Sequence, residues 1–177
     1  MCGIVGFVGT RPAAPILLDG LRRLEYRGYD SAGLATISDG TLHVRKRAGR
    51  IAELEDLTTK HPAPGHCGIS HTRWATHGPP NDVNAHPHVG GNGIVAVVHN
   101  GVIENYSQLR TRLIEQGFKF TSATDTEVIA HLIASLLDEN AESHNGDFKA
   151  ALIDAVQRAL SQVKGTYGLA ILSPRFP

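Results

Sequence analysis

The sequence has only two cysteines and no segment that resembles a secretory signal. Cys2 and Cys67 are its cysteines within 177 residues, too few for the disulfide framework that is typical of small secreted proteins. The N-terminal residues MCGIVGFVGTRPAAP lack both the basic head and the apolar core of a signal peptide. These two features predict a protein of the reducing cytoplasm.

An excess of one charge and a long apolar run are also missing. The 17 Lys and Arg balance the 17 Asp and Glu, so no basic surface for nucleic acid is indicated. No apolar stretch approaches the roughly 20 residues of a membrane-spanning helix. With 41% hydrophobic and 19% charged residues, the composition is ordinary for a globular protein. We therefore expect one globular domain over residues 1–177 that binds neither nucleic acid nor membrane.

Histidine is unusually frequent, and it is concentrated in one region. Six of the ten histidines lie between positions 66 and 99, so a functional or metal site is to be sought there. No cysteine or histidine pair has the C-x₂-C or H-E-x-x-H spacing of a zinc site. We expect no metal or other cofactor, and a non-catalytic metal-binding module is the alternative. The six are His66, His71, His77, His86, His88 and His99.

Hydrophobic periodicity and turn signals predict a layered α+β fold. Strands come early, helices come late, and there is no regular βα alternation, which disfavours a doubly wound sheet. The apolar run IVAVVH at 94–99 is typical of a strand that is covered on both faces. The predicted strands are 2–8, 31–38, 41–46, 67–71, 94–99 and 167–172; the predicted helices are 14–26, 105–116, 124–137 and 148–163; and loops are expected at 58–65 and 74–92.

Three local signals mark turns and helix starts. Asp39-Gly40 is a hairpin signal between the strands 31–38 and 41–46. Thr124 and Glu127 have the spacing of a capping box at the start of the helix 124–137. Asn105, with Gln108 three residues later, is a second predicted cap.

Cys2 is the first candidate for catalysis. Removal of Met1 would make it the N-terminal residue, with a thiol beside a free α-amine. An unperturbed α-amine has a pKa of about 8, close enough to neutrality for proton transfer. Nucleophile and base would then share one residue. The alternative is that Cys2 is only the residue after the start codon.

His99-Asn100-Gly101 follows the predicted buried strand and could form an oxyanion hole. Acyl transfer needs two hydrogen-bond donors aimed at the developing oxyanion, and the Asn100 side chain with the Gly101 N–H could supply them. Asn-Gly is also a common hairpin turn, which is the alternative.

Two charged residues could bind a substrate amino acid. Arg73 could hold a carboxylate with two parallel hydrogen bonds, and Trp74 beside it could cover a pocket. Asp125 could hold an ammonium group. The alternatives are a surface ion pair for Arg73, a core position for Trp74, and a helix-dipole interaction for Asp125 in a first helical turn.

Several segments, in this order, closely resemble class II glutamine amidotransferases of the N-terminal nucleophile hydrolase superfamily. MCGIVG at the N-terminus is shared across that class. Other segments are similar to its glutamine–fructose-6-phosphate aminotransferase branch, whereas the phosphoribosylpyrophosphate amidotransferase and asparagine synthetase branches have different versions of the RG-x-D and Arg-loop segments. The matching blocks are 21–33 (LRRLEYRGYDSAG), 71–78 (HTRWATHG), 84–88 (NAHPH), 99–105 (HNGVIEN) and 124–131 (TDTEVIAH).

The resemblance implies a four-layer αββα sandwich and a role for each matching residue. Glutamine would be the substrate, and its hydrolysis would release ammonia. The implied catalytic residues are Cys2 as nucleophile, Asn100 and Gly101 as oxyanion hole, and Arg27 and Gly28 beside the nucleophile; the implied substrate-binding residues are Arg73 for the α-carboxylate, Asp125 for the α-ammonium, Trp74, Thr76 and His77 in a covering loop, and His86 and His99 as supports of the pocket.

The resemblance also has implications for the length of the protein and its partners. Complete members continue with more of this domain and then with two sugar-phosphate isomerase domains, so we expect residues 1–177 to be an incomplete glutaminase domain. In the full-length enzyme, the partners would be those isomerase domains and a second copy in a homodimer, and the ammonia would convert fructose 6-phosphate to glucosamine 6-phosphate. Another class II amidotransferase activity and an inactive regulatory remnant are the alternatives.

Overall fold

The computed structural model describes residues 2–75, 78–140, 144 and 146–176. Within them, seven strands form two antiparallel sheets and five α-helices cover the outer faces. The strands are β1 (Gly3–Val8), β2 (Ser31–Ser38), β3 (Thr41–Ala48), β4 (Cys67–Arg73), β5 (His88–Gly90), β6 (Val95–Ile103) and β7 (Gly165–Leu172). The helices are α1 (Ala13–Leu24), α2 (Ile51–Lys60), α3 (Tyr106–Glu115), α4 (Thr126–Asn140) and α5 (Phe148–Gln162).

The two sheets differ in strand order. The first has the order β1-β4-β2-β3, and the second has the order β5-β6-β7. Because β1 runs antiparallel to β4, with Gly3 opposite Thr72, the start of β1 lies beside the end of β4. This register brings the N-terminus of the described chain next to Arg73.

Alternation along the strands produces four layers. In β2, Ala32 and Leu34 face the core beneath α1 and α2, whereas Ala35 and Ile37 face the second sheet. Successive side chains of a strand point to opposite faces, so a strand with apolar residues at nearly every position requires a cover on each side. The order of layers is α1 and α2, first sheet, second sheet, and α3 to α5. The expected αββα sandwich of α+β class is confirmed.

Strand β6 contains the most deeply buried segment of the second sheet. Val95 and Val97 pack against α4, Ala96 and Val98 pack against the first sheet, and all four side chains are fully buried. Burying each valine stabilises the fold by about 1.5–3 kcal/mol. The prediction of a strand covered on both faces is confirmed, and β6 continues beyond the predicted end to Ile103.

Two elements were not predicted. Helix α2 was missed, and its end at Lys60 overlaps the predicted loop 58–65, because only Ile51, Leu54 and Leu57 give it an apolar stripe. Strand β5 lies inside the predicted loop 74–92 and has three residues, too few for a period-2 pattern to appear.

Neither predicted cap forms through its side chain, although Asn105 is the N-cap residue of α3 as predicted. Helix α4 begins at Thr126, and Glu127 accepts hydrogen bonds from the backbone N–H groups of Thr121 (2.9 Å) and Ser122 (2.7 Å) instead of forming a box with Thr124. The Asn105 side chain accepts from the N–H of Lys164 at 2.8 Å, rather than from its own helix. In each case a partner from another segment competes successfully with the local one.

The helices of the described residues are short. The longest, α4 and α5, have 15 residues each. None of the described helices has the combination of length and apolarity that crossing a membrane requires.

Candidate active site

The predicted site residues converge where the start of β1, the end of β4 and the second half of β6 meet. Cys2 precedes β1, Arg73 ends β4, and Asn100 and Gly101 lie in β6. A small cavity of about 30 Å³ opens at this point. It has room for a water molecule or two. The cavity is lined by Cys2, Arg73, Trp74, His86, His99, Gly101, Thr124, Asp125 and Thr126.

The sulfur of Cys2 is held by the backbone that follows β4. The N–H of Trp74 donates to Cys2 Sγ at 3.2 Å. Gly28 packs against the same peptide: a Cβ atom at Gly28 would lie 2.9 Å from the Arg73 carbonyl carbon and 3.0 Å from the Trp74 nitrogen. Only glycine therefore allows the turn at Glu25–Arg27 to approach the peptide that contacts the Cys2 sulfur. Arg27 is partly exposed at the end of that turn.

Asn100 and Gly101 face the cysteine from the second sheet. The Asn100 Nδ2 atom donates to the carbonyl oxygen of Cys2 at 3.4 Å. Gly101 has a φ of 138°, and a Cβ atom there would lie 1.9 Å from the Thr166 carbonyl oxygen. The backbone of β6 thus passes the site in a conformation and at a distance that exclude any side chain.

Arg73 is a buried cation at the wall of the cavity. Its side chain is 4% exposed, and its guanidinium donates to the carbonyl oxygens of Gly78 at 3.4 Å and Pro79 at 3.5 Å. Burial lowers the pKa of Arg73, and electrostatic interactions with Cys2, Asp30 and Asp125 oppose that shift. A guanidinium remains protonated in proteins, so it provides a fixed positive charge.

Asp125 and Trp74 both line this cavity. Asp125 is 6% exposed, and its Oδ2 atom accepts a hydrogen bond from the N–H of Ile103 at 2.8 Å, which holds the carboxylate at the end of β6. Trp74 is 47% exposed, and its ring meets the Tyr29 ring edge-on, with the centroids 5.8 Å apart. The core position considered for Trp74 is therefore wrong.

The hydroxyl of Thr126 connects His86 and His99, and the direction of each hydrogen bond can be deduced. His99 Nε2 donates to the Thr166 carbonyl at 3.3 Å, and burial lowers the His99 pKa, so the ring is neutral and its Nδ1 atom accepts. Thr126 lies 2.9 Å from that Nδ1 and must donate to it. It therefore accepts from His86 Nε2, also at 2.9 Å. Both histidines are neutral with hydrogen on Nε2.

Three residues with structural roles at the site were not predicted. Asp30 Oδ2 accepts from the N–H of Ala75 at 2.7 Å, Thr126 forms the bridge described above, and His71 Nε2 lies 2.9 Å from Asn100 Oδ1. All three belong to segments singled out in the sequence, but nothing local indicates their partners. Thr76 and His77, predicted for the covering loop, lie outside the described residues.

The histidine-rich region does not form a metal-binding cluster in the part of the chain that the structure describes. No three side chains of His, Cys, Asp or Glu there come together in a way that could hold a metal ion. His86 and His88 are close, with ring centroids 4.8 Å apart, but each uses Nε2 for a threonine hydroxyl.

Comparison with known sequences identifies a family. The sequence profile of the glutamine amidotransferase domain matches residues 71–173. The chain is 52% identical over 177 residues to a glutamine–fructose-6-phosphate aminotransferase (isomerizing) from Symbiobacterium thermophilum, covering 100% of this chain and 27% of that protein. A relative with the same name from Pyrococcus horikoshii is 49% identical over 172 residues, with 97% and 27% coverage. The chain thus spans about a quarter of the length of these relatives.

Comparison with solved structures agrees on the fold. Glutamine phosphoribosylpyrophosphate amidotransferase from B. subtilis, complexed with ADP and GMP, has a TM-score of 0.76 and 31% identity, covering 98% of this chain and 35% of that one. A glutamine aminotransferase class-II domain protein from Silicibacter pomeroyi, at 18% identity and a TM-score of 0.56, shares the fold alone.

Proposed function

Because the chain belongs to the glutamine amidotransferase domain family, we propose that it hydrolyses the side-chain amide of glutamine through a thioester on Cys2. One observation carries this proposal: the Cys2 sulfur accepts a backbone N–H at 3.2 Å in a cavity that Arg73 and Asp125 also line. A nucleophile, a buried cation and a buried carboxylate in one cavity fit an amino-acid substrate that carries both charges.

The first step is attack by sulfur. With Met1 removed, the α-amine of Cys2 takes the thiol proton, and the thiolate attacks the side-chain carbonyl carbon of glutamine. A carbon–sulfur bond forms, and the carbonyl oxygen becomes an oxyanion. The α-ammonium then gives its proton to the departing nitrogen as the carbon–nitrogen bond breaks, so ammonia leaves and a thioester remains.

Two donors stabilise the oxyanion. We assign this role to the Nδ2–H of Asn100 and the backbone N–H of Gly101, since both residues belong to β6 and lie beside Cys2. Donors that are held in place before the reaction stabilise developing charge without reorganisation. The same donors serve again when water, deprotonated by the α-amine, attacks the thioester and releases glutamate and the cysteine thiol.

The substrate is oriented by its two charged groups. Arg73 would bind the α-carboxylate in a bidentate manner, and Asp125 would bind the α-ammonium. Trp74 stands at the rim with a side chain exposed enough to cover a bound substrate, and we assign Thr76 and His77 to the same cover. We assign to Arg27 and Gly28 the support of the Arg73–Trp74 peptide, which contacts the Cys2 sulfur. We assign to His86 and His99 the support of the cavity wall that they line.

We extend the proposal to the use of the ammonia. The relatives at 49% and 52% identity are named glutamine–fructose-6-phosphate aminotransferase, whereas the phosphoribosylpyrophosphate amidotransferase from B. subtilis reaches 31%. This difference favours conversion of fructose 6-phosphate to glucosamine 6-phosphate, in the cytoplasm, by a longer homodimeric polypeptide in which isomerase domains receive the ammonia. A coupled assay for glucosamine 6-phosphate on such a polypeptide tests this extension.

The test of glutamine hydrolysis compares three proteins of verified intact mass: the chain with Met1 removed, the chain with Met1 retained, and Cys2→Ala. Glutamate should be released only by the first, because only there does Cys2 carry both thiol and free α-amine. Cys67→Ala, in the processed form, is the matched control and should remain active. Equal activity with Met1 retained would contradict the role of the α-amine, and activity in Cys2→Ala would contradict the nucleophile.

A further inference from the structure

His71 is a buried histidine between the two sheets that the mechanism above does not use. It lies on β4, its side chain is fully buried, and its Nε2 atom faces β6. Two oxygen atoms of β6 lie within hydrogen-bonding distance of that nitrogen: the His99 carbonyl oxygen at 3.1 Å and Asn100 Oδ1 at 2.9 Å. These contacts determine the proton position on the ring.

The His99 carbonyl oxygen determines the direction of the hydrogen bonds at His71 Nε2. A backbone carbonyl can only accept, so the His71 Nε2 atom beside it must carry hydrogen. The atom of Asn100 that meets the same nitrogen must then be the acceptor of the amide, which is its oxygen. The orientation of an asparagine amide is assigned from its hydrogen-bond partners, and here the partner leaves one choice.

The other end of the amide leads independently to the same orientation. Asn100 Nδ2 lies 3.4 Å from the Cys2 carbonyl oxygen, which is again an obligate acceptor. Reversing the amide would place an NH₂ group against the Nε2–H of His71 and an oxygen against the Cys2 carbonyl. Both contacts would become repulsive.

We propose that His71 is a positioning residue: by donating to Asn100 Oδ1, it keeps the amide turned so that Nδ2 lies on the side of Cys2, where the side-chain carbonyl of glutamine would be attacked. This inference rests on the proposed function, because the Nδ2–H is the oxyanion donor there. Without His71, the amide can rotate and present its oxygen to the oxyanion, which replaces a stabilising contact with a repulsive one.

The surroundings of His71 suit such a role. Burial lowers the pKa of His71 to about 4, so the ring is neutral near pH 7 and brings no additional positive charge to the site. The His86 ring lies against it at a centroid distance of 4.1 Å, which limits the movement of the imidazole. The Nδ1 atom has no hydrogen-bond partner among the described residues, in keeping with a ring whose polar function is concentrated at Nε2.

The test uses two substitutions at His71 and one at Asn100 in the processed chain. His71→Leu removes the donor, whereas His71→Gln places an amide NH₂ near the position of Nε2. His71→Leu should lower kcat by roughly 10-fold or more, but by no more than the roughly 10²–10³-fold expected for Asn100→Ala. KM should change little, and His71→Gln should recover most of kcat.

The double variant separates positioning from a general structural effect. If His71 acts through Asn100, His71→Leu should cause almost no further loss of kcat in the Asn100→Ala background. The control is His43→Leu, since His43 is a partly buried histidine on β3, the edge strand of the first sheet and the one farthest from β1 in the strand order. It should leave kcat unchanged.

Three kinetic outcomes would overturn the proposal: an equal kcat loss from His71→Leu with and without Asn100, an effect confined to KM, or no difference in kcat between His71→Leu and His71→Gln. The side-chain NH₂ resonances of Asn100 give a readout besides activity, and they should shift in His71→Leu and return toward their original position in His71→Gln. Unchanged resonances in His71→Leu would also overturn it. A wild-type chain that does not hydrolyse glutamine would refute the proposed function, and the resonances alone would then decide the orientation.

Discussion

The backbone N–H of Trp74 lies 3.2 Å from the sulfur of Cys2, although 72 positions separate the two residues in sequence. The antiparallel pairing of β1 with β4 brings them together, because Gly3 faces Thr72. The sulfur of Cys2 is therefore held by the main chain that follows a neighbouring strand, and its position depends on the register of that pair. A shift of one residue would turn the side chains of β1 to the opposite face.

The two cysteines should differ sharply in reactivity toward a glutamine analogue with an electrophilic diazoketone. Cys2 lies in the proposed substrate cavity, whereas Cys67 is at the far end of β4 and burial raises its pKa, which lowers its thiolate fraction. Peptide mapping should find the adduct on Cys2, and excess glutamine should protect it. Modification mainly at Cys67, or labelling that glutamine does not slow, would argue against the site.

Arg73→Ala should weaken glutamine binding more than it slows turnover. Loss of a charge-assisted contact of about 1.5–3 kcal/mol corresponds to a KM increase of roughly 10- to 150-fold. Arg73→Lys should recover only part of this, because a lysine cannot form the bidentate pair. Arg47→Ala is the control, since Arg47 forms a surface ion pair with Asp82 and should leave KM unchanged. A KM unaffected in Arg73→Ala would refute the carboxylate assignment.

Gly101→Ala should be far more damaging than Gly117→Ala. Both glycines have positive φ, 138° and 93°, so alanine introduces backbone strain of about 1–3 kcal/mol at either position. At Gly117, however, nothing lies within 4 Å of the added Cβ, whereas at Gly101 it would lie 1.9 Å from the Thr166 carbonyl oxygen. Thermal unfolding and glutaminase rates should show a larger loss of stability at Gly101, together with loss of activity. Equal losses of stability and activity in the two variants would show that β6 and β7 move apart enough to accommodate the added Cβ atom.

Thr126→Val should lower stability, and Thr126→Ser should not. Valine keeps the shape but removes the hydroxyl between His86 and His99, which leaves buried polar atoms without partners at a cost of about 1–3 kcal/mol. Urea unfolding measures the difference. Thr111→Val, at an exposed helical position, is the control for the loss of a hydroxyl alone. A fully stable Thr126→Val would show that the two rings do not depend on the bridge.

Stability should fall as pH is lowered from 7 to 5. Burial lowers the pKa of His71 to about 4 and those of His86 and His88 well below their ordinary value. Well above pH 6.5 these groups are neutral in both states and have no effect. Below it, the unfolded chain takes up protons that the folded chain does not, so the free energy of unfolding decreases.

The magnitude for His71 follows from its pKa. At about 1.4 kcal/mol per pH unit, His71 alone should lower the free energy of unfolding by roughly 2 kcal/mol between pH 6.5 and pH 5. Urea unfolding at pH 7, 6 and 5 measures the slope, and the slope should be shallower in His71→Gln. An identical slope in the two proteins would show that His71 does not titrate in this way.

Much of the fold could be read from short-range patterns. The hairpin at Asp39-Gly40 is confirmed, with φ of 51° and 69° at the two positions, because a two-residue turn between twisted strands needs positive φ, which Asp and Gly tolerate. The apolar run that begins β6 reflects burial on both faces. Helix α2 was missed since its stripe is narrow, and β5 was missed since three residues are too few for periodicity.

The site shows where sequence reasoning ends. The resemblance identified residues such as Cys2 and Asn100 as candidates, since each lies in a motif that can be recognised within a few positions. It did not assign a role to His71, whose partners lie 28 and 29 positions away on the other sheet. Turn chemistry and periodicity depend on neighbours in the chain, and so they are legible in the sequence. Hydrogen bonds between sheets depend on strand register and layer packing, which the whole chain decides together, and only the folded structure reveals them.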